Sequence, residues 1–530
     1  MSSSPLQEAV TAMTSGDNLF DVVIICTTDD YQAEFWMNRL STGICASSKM
    51  VLACAEDWNN SGGAGNGLGT LYAYQKACKL AKEKYDMDLE DLLSKKEVSA
   101  ALFHTAGKGT RMAPLPASEN NNKPGVKLPI LLTKADGSTT PITVLEAVLQ
   151  QTGVYGKTRK GRLSVFWGDQ VFLPSASFQQ EPTHHIDIMC TLLGDTAPTS
   201  EEWAAQDLDK YGVIAVMDSG NAAQVEKVSH ATAVKMLETL GNINQVGPSL
   251  GSFSVSASIL KALCSEYSTE LTEKTAKLDT DPHFWMPLTL PKAEYASLMA
   301  QKGIDEGISD KHHDRMSAFS KTLDLNGMGL FGAVDVGKDA CWWDYGLLKL
   351  YSKNNLKLLE DGEDAQFLRQ FMSLSDKRAH SSLSDALTID ESSCVTGCQI
   401  TKKGSIKNSV LCNVTAQTVE TDGAIIVNCV APSITAGEGA ILYNLISPDK
   451  PIVAAAGSVQ VAVTSEEEDE SLVLQSRMDI DGGKAWKNKI EELNDVSFED
   501  IFLKNKMANV GAIEAKREKM YKEAASKILS

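Results

Sequence analysis

The sequence predicts a three-layer α/β architecture with a mostly parallel sheet over residues 15–390. A left-handed β-helix-like stretch follows over 391–464, then an acidic loop and helical tail over 465–530. Three observations carry this. Continuous apolar runs at 20–26 (FDVVIIC), 101–103 (ALF) and 163–167 (LSVFW) have the pattern of strands buried on both faces, and loop and helix signals follow them. Residues 392–463 are rich in Val, Ile, Thr, Ser, Asn and Gly and nearly free of charge. The last thirty residues read as amphipathic helix.

In chain order, the run at 20–26 leads into TTDDYQAEFWMNRL, where threonines and aspartates can cap a helix carrying Phe35, Trp36 and Leu40. A glycine cluster at 61–70 (SGGAGNGLGT) runs straight into the helical pattern LYAYQKACKLAKEKY. A loop entering a helix presents free N–H groups to an anion, which makes Gly65 and Gly67 candidate nucleotide-binding positions. The alternative is a flexible linker.

Residues 101–132 (ALFHTAGKGTRMAPLPASENNNKPGVKLPILL) form the organising stretch. The strand end at Phe103 is followed by Gly107 and Gly109, then Thr110 and Arg111, and after a polar gap by Lys123 and Lys127. Glycines let backbone N–H groups approach phosphate closely, and a guanidinium with two ammoniums can neutralise a polyphosphate. The GxxxxGK[ST] phosphate loop is excluded by spacing, and the dinucleotide fingerprint by Met112 where a third glycine is needed. An ordinary tight turn is the competing reading.

What remains, Gly107-Lys108-Gly109-Thr110-Arg111-Met112-Ala113-Pro114-Leu115, resembles G-x-G-T-R-[ML]-x-P-L, the signature loop of the sugar-1-phosphate nucleotidyltransferases. The earlier stretches resemble the fucose-1-phosphate branch of that family, with Gln32, Gly65, Gly67, Thr70, Leu71, His104 and Arg111 on matching positions. The Gly109-to-Met112 run is closer to the general family, so base and sugar stay open: GTP with a fucose-like 1-phosphate first, UTP with a hexose 1-phosphate next.

The resemblance implies a Rossmann-like domain, NTP and sugar 1-phosphate as partners, and Mg²⁺ as cofactor. It places a metal aspartate at Gly168-Asp169 and a second at Trp342-Trp343-Asp344-Tyr345-Gly346, with Asp335 the fallback. It implies catalytic roles for Arg111 with Lys123 and Lys127. Gly107, Gly109 and Thr110 join Gly65 and Gly67 on the nucleotide. Residues 211–228 (YGVIAVMDSGNAAQVEKV) read as a hairpin turning at 218–221. In the family, the Glu226-Lys227 pair after such a hairpin and the strand opening at Gly251 hold the sugar phosphate. An exposed ion pair is the plain alternative for Glu226-Lys227. The aromatic cluster at 279–289, with His283, reads as core rather than catalytic.

The remaining signals bound the rest. A net charge of −19 with no basic block excludes a nucleic-acid binder. Eleven cysteines in a long chain read as reduced thiols, and the lone Cys394-x3-Cys398 lacks a second ligand pair for zinc. No targeting segment or membrane span is read, so the expected compartment is cytoplasmic. Asn408, Asn428 and Asn444 stand 20 and 16 residues apart in three similar rungs, a length suited to one solenoid coil. A small β-sandwich shares that composition. An uncharged stacked surface, or the tail, is the expected homo-oligomer contact, and the acidic run 465–470 is expected to be solvated. All chemistry candidates precede residue 390, so truncation there is expected to leave residual activity. A catalytically inactive sensor of NDP-sugar with the same fold is the rival reading. A bifunctional kinase is rejected, because no glycine-rich kinase loop follows residue 390.

Overall fold

The computed structural model describes residues 4–59, 62–133 and 137–530. Its central sheet is built from β1 (Val22–Thr27), β2 (Met50–Ala55), β3 (Ala100–His104), β4 (Arg162–Trp167), β5 (His184–Cys190), β6 (Gly212–Met217), β7 (Ala222–Glu226), β8 (Ile243–Ser256) and β9 (Gly329–Asp335). The order along it is β2-β1-β3-β4-β8-β5-β9, with the hairpin β6-β7 attached to the first half of β8. Six of those seven strands share one direction, and β8 alone is reversed.

Both faces of this sheet are buried, which explains why its strands read as unbroken apolar runs. Along β1, Val23 and Ile25 point into one core with Trp36 and Leu40 of the helix Asp30–Thr42. Val22, Ile24 and Cys26 point into the other, with Leu68 and Leu71 of the helix Gly65–Tyr85. Parallel pairing brings the ends of β1, β3 and β4 to one edge, and the loops after them meet there.

A second sheet follows, with β10 (Cys394–Thr396), β11 (Val410–Asp422), β12 (Ile425–Ala436), β13 (Ile441–Tyr443) and β14 (Ser458–Val463) paired in parallel, and β15 (Leu472–Arg477) closing it antiparallel. Side chains alternate between two cores. Leu411, Ile426 and Leu442 fill the interior of the stack. Val410, Ile425, Val427, Ile441 and Tyr443 instead join the core that contains Leu128, Ile130 and Tyr351. Burial on two sides is why this tract carries so little charge. It also means that the face formed by Val410, Ile425, Val427 and Ile441 is covered by the chain itself, and that the hydrophobic core does not end at residue 390.

The asparagine ladder corrects the sequence reading by one member. Asn413 donates to Asn428 at 2.7 Å, and Asn428 donates to Asn444 at 2.7 Å. All three sit at positive φ, 54° to 56°. Asn408 lies outside this line and donates to Asp422 instead. The spacing is therefore 15 and 16 residues, the registers of β11 on β12 and of β12 on β13.

The polar gap 118–122 (SENNN) is buried, not solvated. Ser118 donates to the Ala462 carbonyl, Asn120 to Thr464 and Asn121 to Phe502, while Asn122 accepts from Trp36. The acidic run is likewise tied down in part: Glu468 pairs with Lys504 at 2.7 Å, and Lys516 donates to three of the run's carbonyls. All eleven cysteines are free thiols, and burial pushes that of Cys398 up to about 12. No helix among the described residues is long and apolar enough to cross a membrane.

Candidate functional site

The site is assembled where β3 and β4 end. After His104 the chain turns through Gly107 (φ 139°) and Gly109 (φ 63°), a left-handed conformation that costs glycine little, and enters a single turn of 3₁₀ helix, Thr110–Met112. Gly107 faces open space. A Cβ on Gly109 would meet Pro116 at 3.0 Å and the Lys123 side chain at 3.3 Å, so the loop is pressed onto the segment that delivers Lys123.

Asp169 and Asp344 converge because a short antiparallel ribbon joins their strands. Gln170–Leu173 pairs with Cys341–Asp344, with Gln170 opposite Asp344, and the Tyr345 amide donates to the Asp169 carbonyl at 2.9 Å. A Cβ placed on Gly346 would lie 2.9 Å from Asp169 Oδ2 and 3.0 Å from Asp344 Oδ1, so the two oxygens are within about 6 Å of each other. Lys123 Nζ pairs with Asp169 Oδ2 at 2.5 Å. Burial first, and the neighbouring Asp169 charge after it, raise the Asp344 carboxyl above the usual range. The Gly346 amide, Lys123 and Arg111 oppose that shift. Arg111, Lys123, Asp169 and Asp344 thus form one electrostatic cluster.

The other sequence candidates lie outside this four-residue cluster. Lys127 is buried away from this cluster and bonds Glu119 at 2.8 Å. Its backbone is held by Tyr443 and Tyr351 hydroxyls, which places it in the architecture rather than the cleft. Gly65 and Gly67 open the helix as read, but its first amides are already occupied. Gly67 and Leu68 donate to the Leu278 carbonyl, Asn66 to Asp279, and Ala64 to Glu56. A Cβ on Gly65 would be 2.6 Å from Leu278 O and one on Gly67 2.8 Å, so these glycines serve close packing there. Glu226 pairs with Lys302 at 2.6 Å and lies 3.6 Å from Lys227, which follows β7 at φ 54° with an exposed side chain. Gly251 (φ 74°) lets β8 pass Trp167, whose Nε1 would be 2.6 Å from a Cβ there. Asp335, the fallback, accepts from the Leu192 and Gly337 amides and caps its own loop.

Two positions that carry the family resemblance, His104 and Thr70, meet beside the turn. His104 Nε2 lies 2.8 Å from Thr70 Oγ1, and Thr70 donates its only hydroxyl proton to Asn66. Nε2 must therefore carry the proton and donate, which fixes a neutral tautomer. Burial lowers the His104 pKa from 6.5 to about 4. The unfolded chain takes up this proton near pH 6.5 and the folded chain only near 4. The stability contribution is thus complete above 6.5 and is lost on acidification between those values. Urea midpoints of wild type and His104→Gln between pH 7 and 4 should differ in slope, wild type losing on the order of 2 kcal/mol more.

Glu119, by contrast, is a contributor that the sequence did not single out. It accepts from Lys127, Asn444 and the Tyr443 hydroxyl on Oε1, and pairs with Arg517 at 2.9 Å on Oε2. Both Glu119 and Arg517 are buried, and the opposite charges of Arg517 and Lys127 hold the Glu119 carboxyl below its ordinary value despite burial. One carboxylate thereby joins the signature segment, the stacked strands and the tail helix Val510–Leu529.

Among the described residues, no group of three or more His, Cys, Asp or Glu side chains is placed to hold a metal. Two converging hard-oxygen donors fit Mg²⁺, which commonly takes one or two protein carboxylates and completes its shell with water and substrate phosphates. A scan of the chain against protein-family models gives no match, and a search of curated proteins finds no significant similarity.

Proposed function

We propose that the chain is a sugar-1-phosphate nucleotidyltransferase, forming an NDP-sugar and pyrophosphate from an NTP and a sugar 1-phosphate. The observation that carries this reading is the convergence of Arg111, Lys123, Asp169 and Asp344 beside an open glycine turn at one sheet edge. On this reading the first region is a Rossmann-like domain and the stacked parallel strands are a left-handed β-helix.

A sugar-phosphate oxygen attacks the α-phosphorus, the bond to the β-phosphate oxygen breaks, and pyrophosphate leaves with that electron pair. The nucleophile is already an anion, so no general base is required. The difficulty is the meeting of two anions. Arg111 and Lys123 stabilise charge on the departing pyrophosphate, and the amides of the Gly107–Thr110 turn orient the nucleotide. Glu226 accepts hydrogen bonds from sugar hydroxyls, while Lys227 and the strand opening at Gly251 hold the sugar phosphate. Asp169 and Asp344 would hold Mg²⁺, which when bound neutralises charge between the phosphates. GTP with a fucose-like 1-phosphate is the first candidate pair and UTP with a hexose 1-phosphate the second.

The deciding experiment is a Mg²⁺-dependent pyrophosphate-release panel crossing four NTPs with common sugar 1-phosphates. Turnover with one pair supports the reading. Tight NDP-sugar binding without turnover on any pair selects the sensor alternative instead. Once a pair is found, Lys227→Ala should raise the KM for sugar 1-phosphate about tenfold or more and leave that for NTP nearly unchanged. An equal rise for both substrates would remove Lys227 from the sugar site.

A further inference from the structure

The glycine turn has a neighbour from the far end of the chain. Residues 481–484 (DGGK) form a tight turn in which Asp481 Oδ1 accepts from the Gly483 amide at 2.9 Å and the Lys484 amide at 3.3 Å. This turn lies directly on Thr110 and Arg111. A Cβ on Gly482 would be 2.6 Å from the Thr110 carbonyl and 3.0 Å from Ala113 Cβ. One on Gly483 would be 3.8 Å from Arg111 Cγ and 3.7 Å from Thr110 Oγ1. The absence of a side chain at Gly482 is what permits the approach, whereas a Cβ on Gly483 would make only ordinary contact with Thr110 and Arg111.

The turn is itself braced. Trp486 packs edge-on to Phe502 with ring centroids 5.7 Å apart, and its carbonyl accepts from the Glu499 amide. Phe502 in turn lies beneath Lys108 of the glycine loop, with Nζ 5.5 Å from the ring centroid. On the other side the loop meets Pro116 and Lys123. The loop therefore sits between its own downstream segment and a brace supplied by residues 481–502.

We propose that the 481–484 turn is a positioning element for Arg111, with Gly482 the residue that sets its approach and Phe502 its support. Arg111 is itself exposed, and what the turn confines is the Thr110–Ala113 backbone from which its side chain projects, so the root of the guanidinium's reach is fixed before substrate arrives. Preorganised cations contribute more in the transition state than ones that must be gathered during the reaction. The catalytic value of this positioning rests on the nucleotidyltransferase reading of Arg111, but its mechanical part does not.

The test uses the full-length chain and two readouts. Hydrogen exchange of the amides at 106–112 is measured in wild type, Gly482→Ala and Phe502→Leu, alongside melting temperature. Pyrophosphate release is followed with whichever substrate pair wild type accepts. The expected result for Gly482→Ala is exchange quickened about tenfold in 106–112 only, with kcat reduced at least tenfold and the KM for sugar 1-phosphate unchanged. Wild-type exchange in a folded Gly482→Ala protein overturns the proposal, as does acceleration spread over the whole chain. If Gly482→Ala does not fold, Phe502→Leu decides alone: quickened exchange at Met112, whose amide bonds the Gly109 carbonyl, supports the brace, and no change refutes it. Absence of turnover by wild type on every pair refutes the functional reading while the exchange data still judge the brace.

Discussion

Asp169→Asn should reduce pyrophosphate release at least a thousandfold while leaving the melting temperature within a few degrees of wild type. The loss corresponds to about 4 kcal/mol of transition-state stabilisation, the scale expected when a preorganised charge is removed from a phosphoryl-transfer site. Stability should hold because Asp169 and its partner Lys123 both keep some access to solvent, with side-chain exposures of 21% and 19%, so the freed ammonium can turn to water. A second consequence concerns Asp344. Its pKa is raised in part by the Asp169 charge, so the neutral amide should let Asp344 ionise at lower pH. Carboxyl chemical shifts of Asp344 followed by pH titration would register that shift even without turnover. Near-wild-type rates in saturating Mg²⁺ would remove Asp169 from the metal site.

Truncation after residue 390 should abolish folding, not merely alter assembly. This reverses the expectation drawn from the sequence, where every candidate for chemistry precedes that point. The reason is in the packing. Removing residues 391–530 strips Glu119 of Arg517, Tyr443 and Asn444, and leaves Ser118, Asn120 and Asn121 without the carbonyls they donate to. It also uncovers the face that Leu128 and Ile130 share with Val427 and Tyr443. Breaking one buried charge pair alone costs about 3–5 kcal/mol, against a total stability of about 5–15 kcal/mol. The milder Arg517→Met should therefore fold but melt several degrees lower, with part of the loss recovered when Glu119 is changed to Gln in the same chain. A soluble, monomeric 1–390 fragment with a cooperative melt would show that this junction is dispensable.

What the sequence made legible was what is encoded locally. Two-sided strands show themselves as unbroken apolar runs, so β1, β3 and β4 could be read directly. The Gly107–Arg111 turn could be read because its conformational demands fall on neighbouring glycines, whereas the Gly168-Asp169 step was reached through the resemblance. Asp344 was reached only through the resemblance of Trp342–Gly346 to a family element, and the fully enclosed Trp343 and Tyr345 on either side of it are what fix its place. What escaped depends on partners far along the chain. Arg517 meets Glu119 across nearly four hundred positions, and nothing near either residue announces the other. Lys127 resembled Lys123 in spacing from the loop, and only burial separates them. Gly65 and Gly67 have the composition of an anion site, but Leu278 and Asp279 reach their helix first. The ladder was misread by five residues because Asn408 and Asn413 are equally plausible corner residues, and only hydrogen bonding chooses between them.

That ladder also restricts how the chain can change length. Each amide hands a hydrogen bond to the next in a single direction, from Asn413 to Asn428 to Asn444, and the last delivers its own to Ser118 and Glu119. The stack is therefore a ruler with one end fixed to the signature segment. An insertion of a few residues between rungs would turn one asparagine off the line and leave a buried amide unpaired. A whole extra coil of 15 or 16 residues would preserve the spacing but advance the stack by about 4.8 Å, the separation of neighbouring strands. Inserted between Asn428 and Asn444, it would slide β11 and β12 out of register with the ribbon Lys127–Thr133 that they pack against. Added ahead of Asn413, it would leave both in place and displace only the first coil, whose Gly397 lies against Leu131. Natural variation in the number of coils should accordingly accumulate at the early end of the stack, and the late end should keep its length.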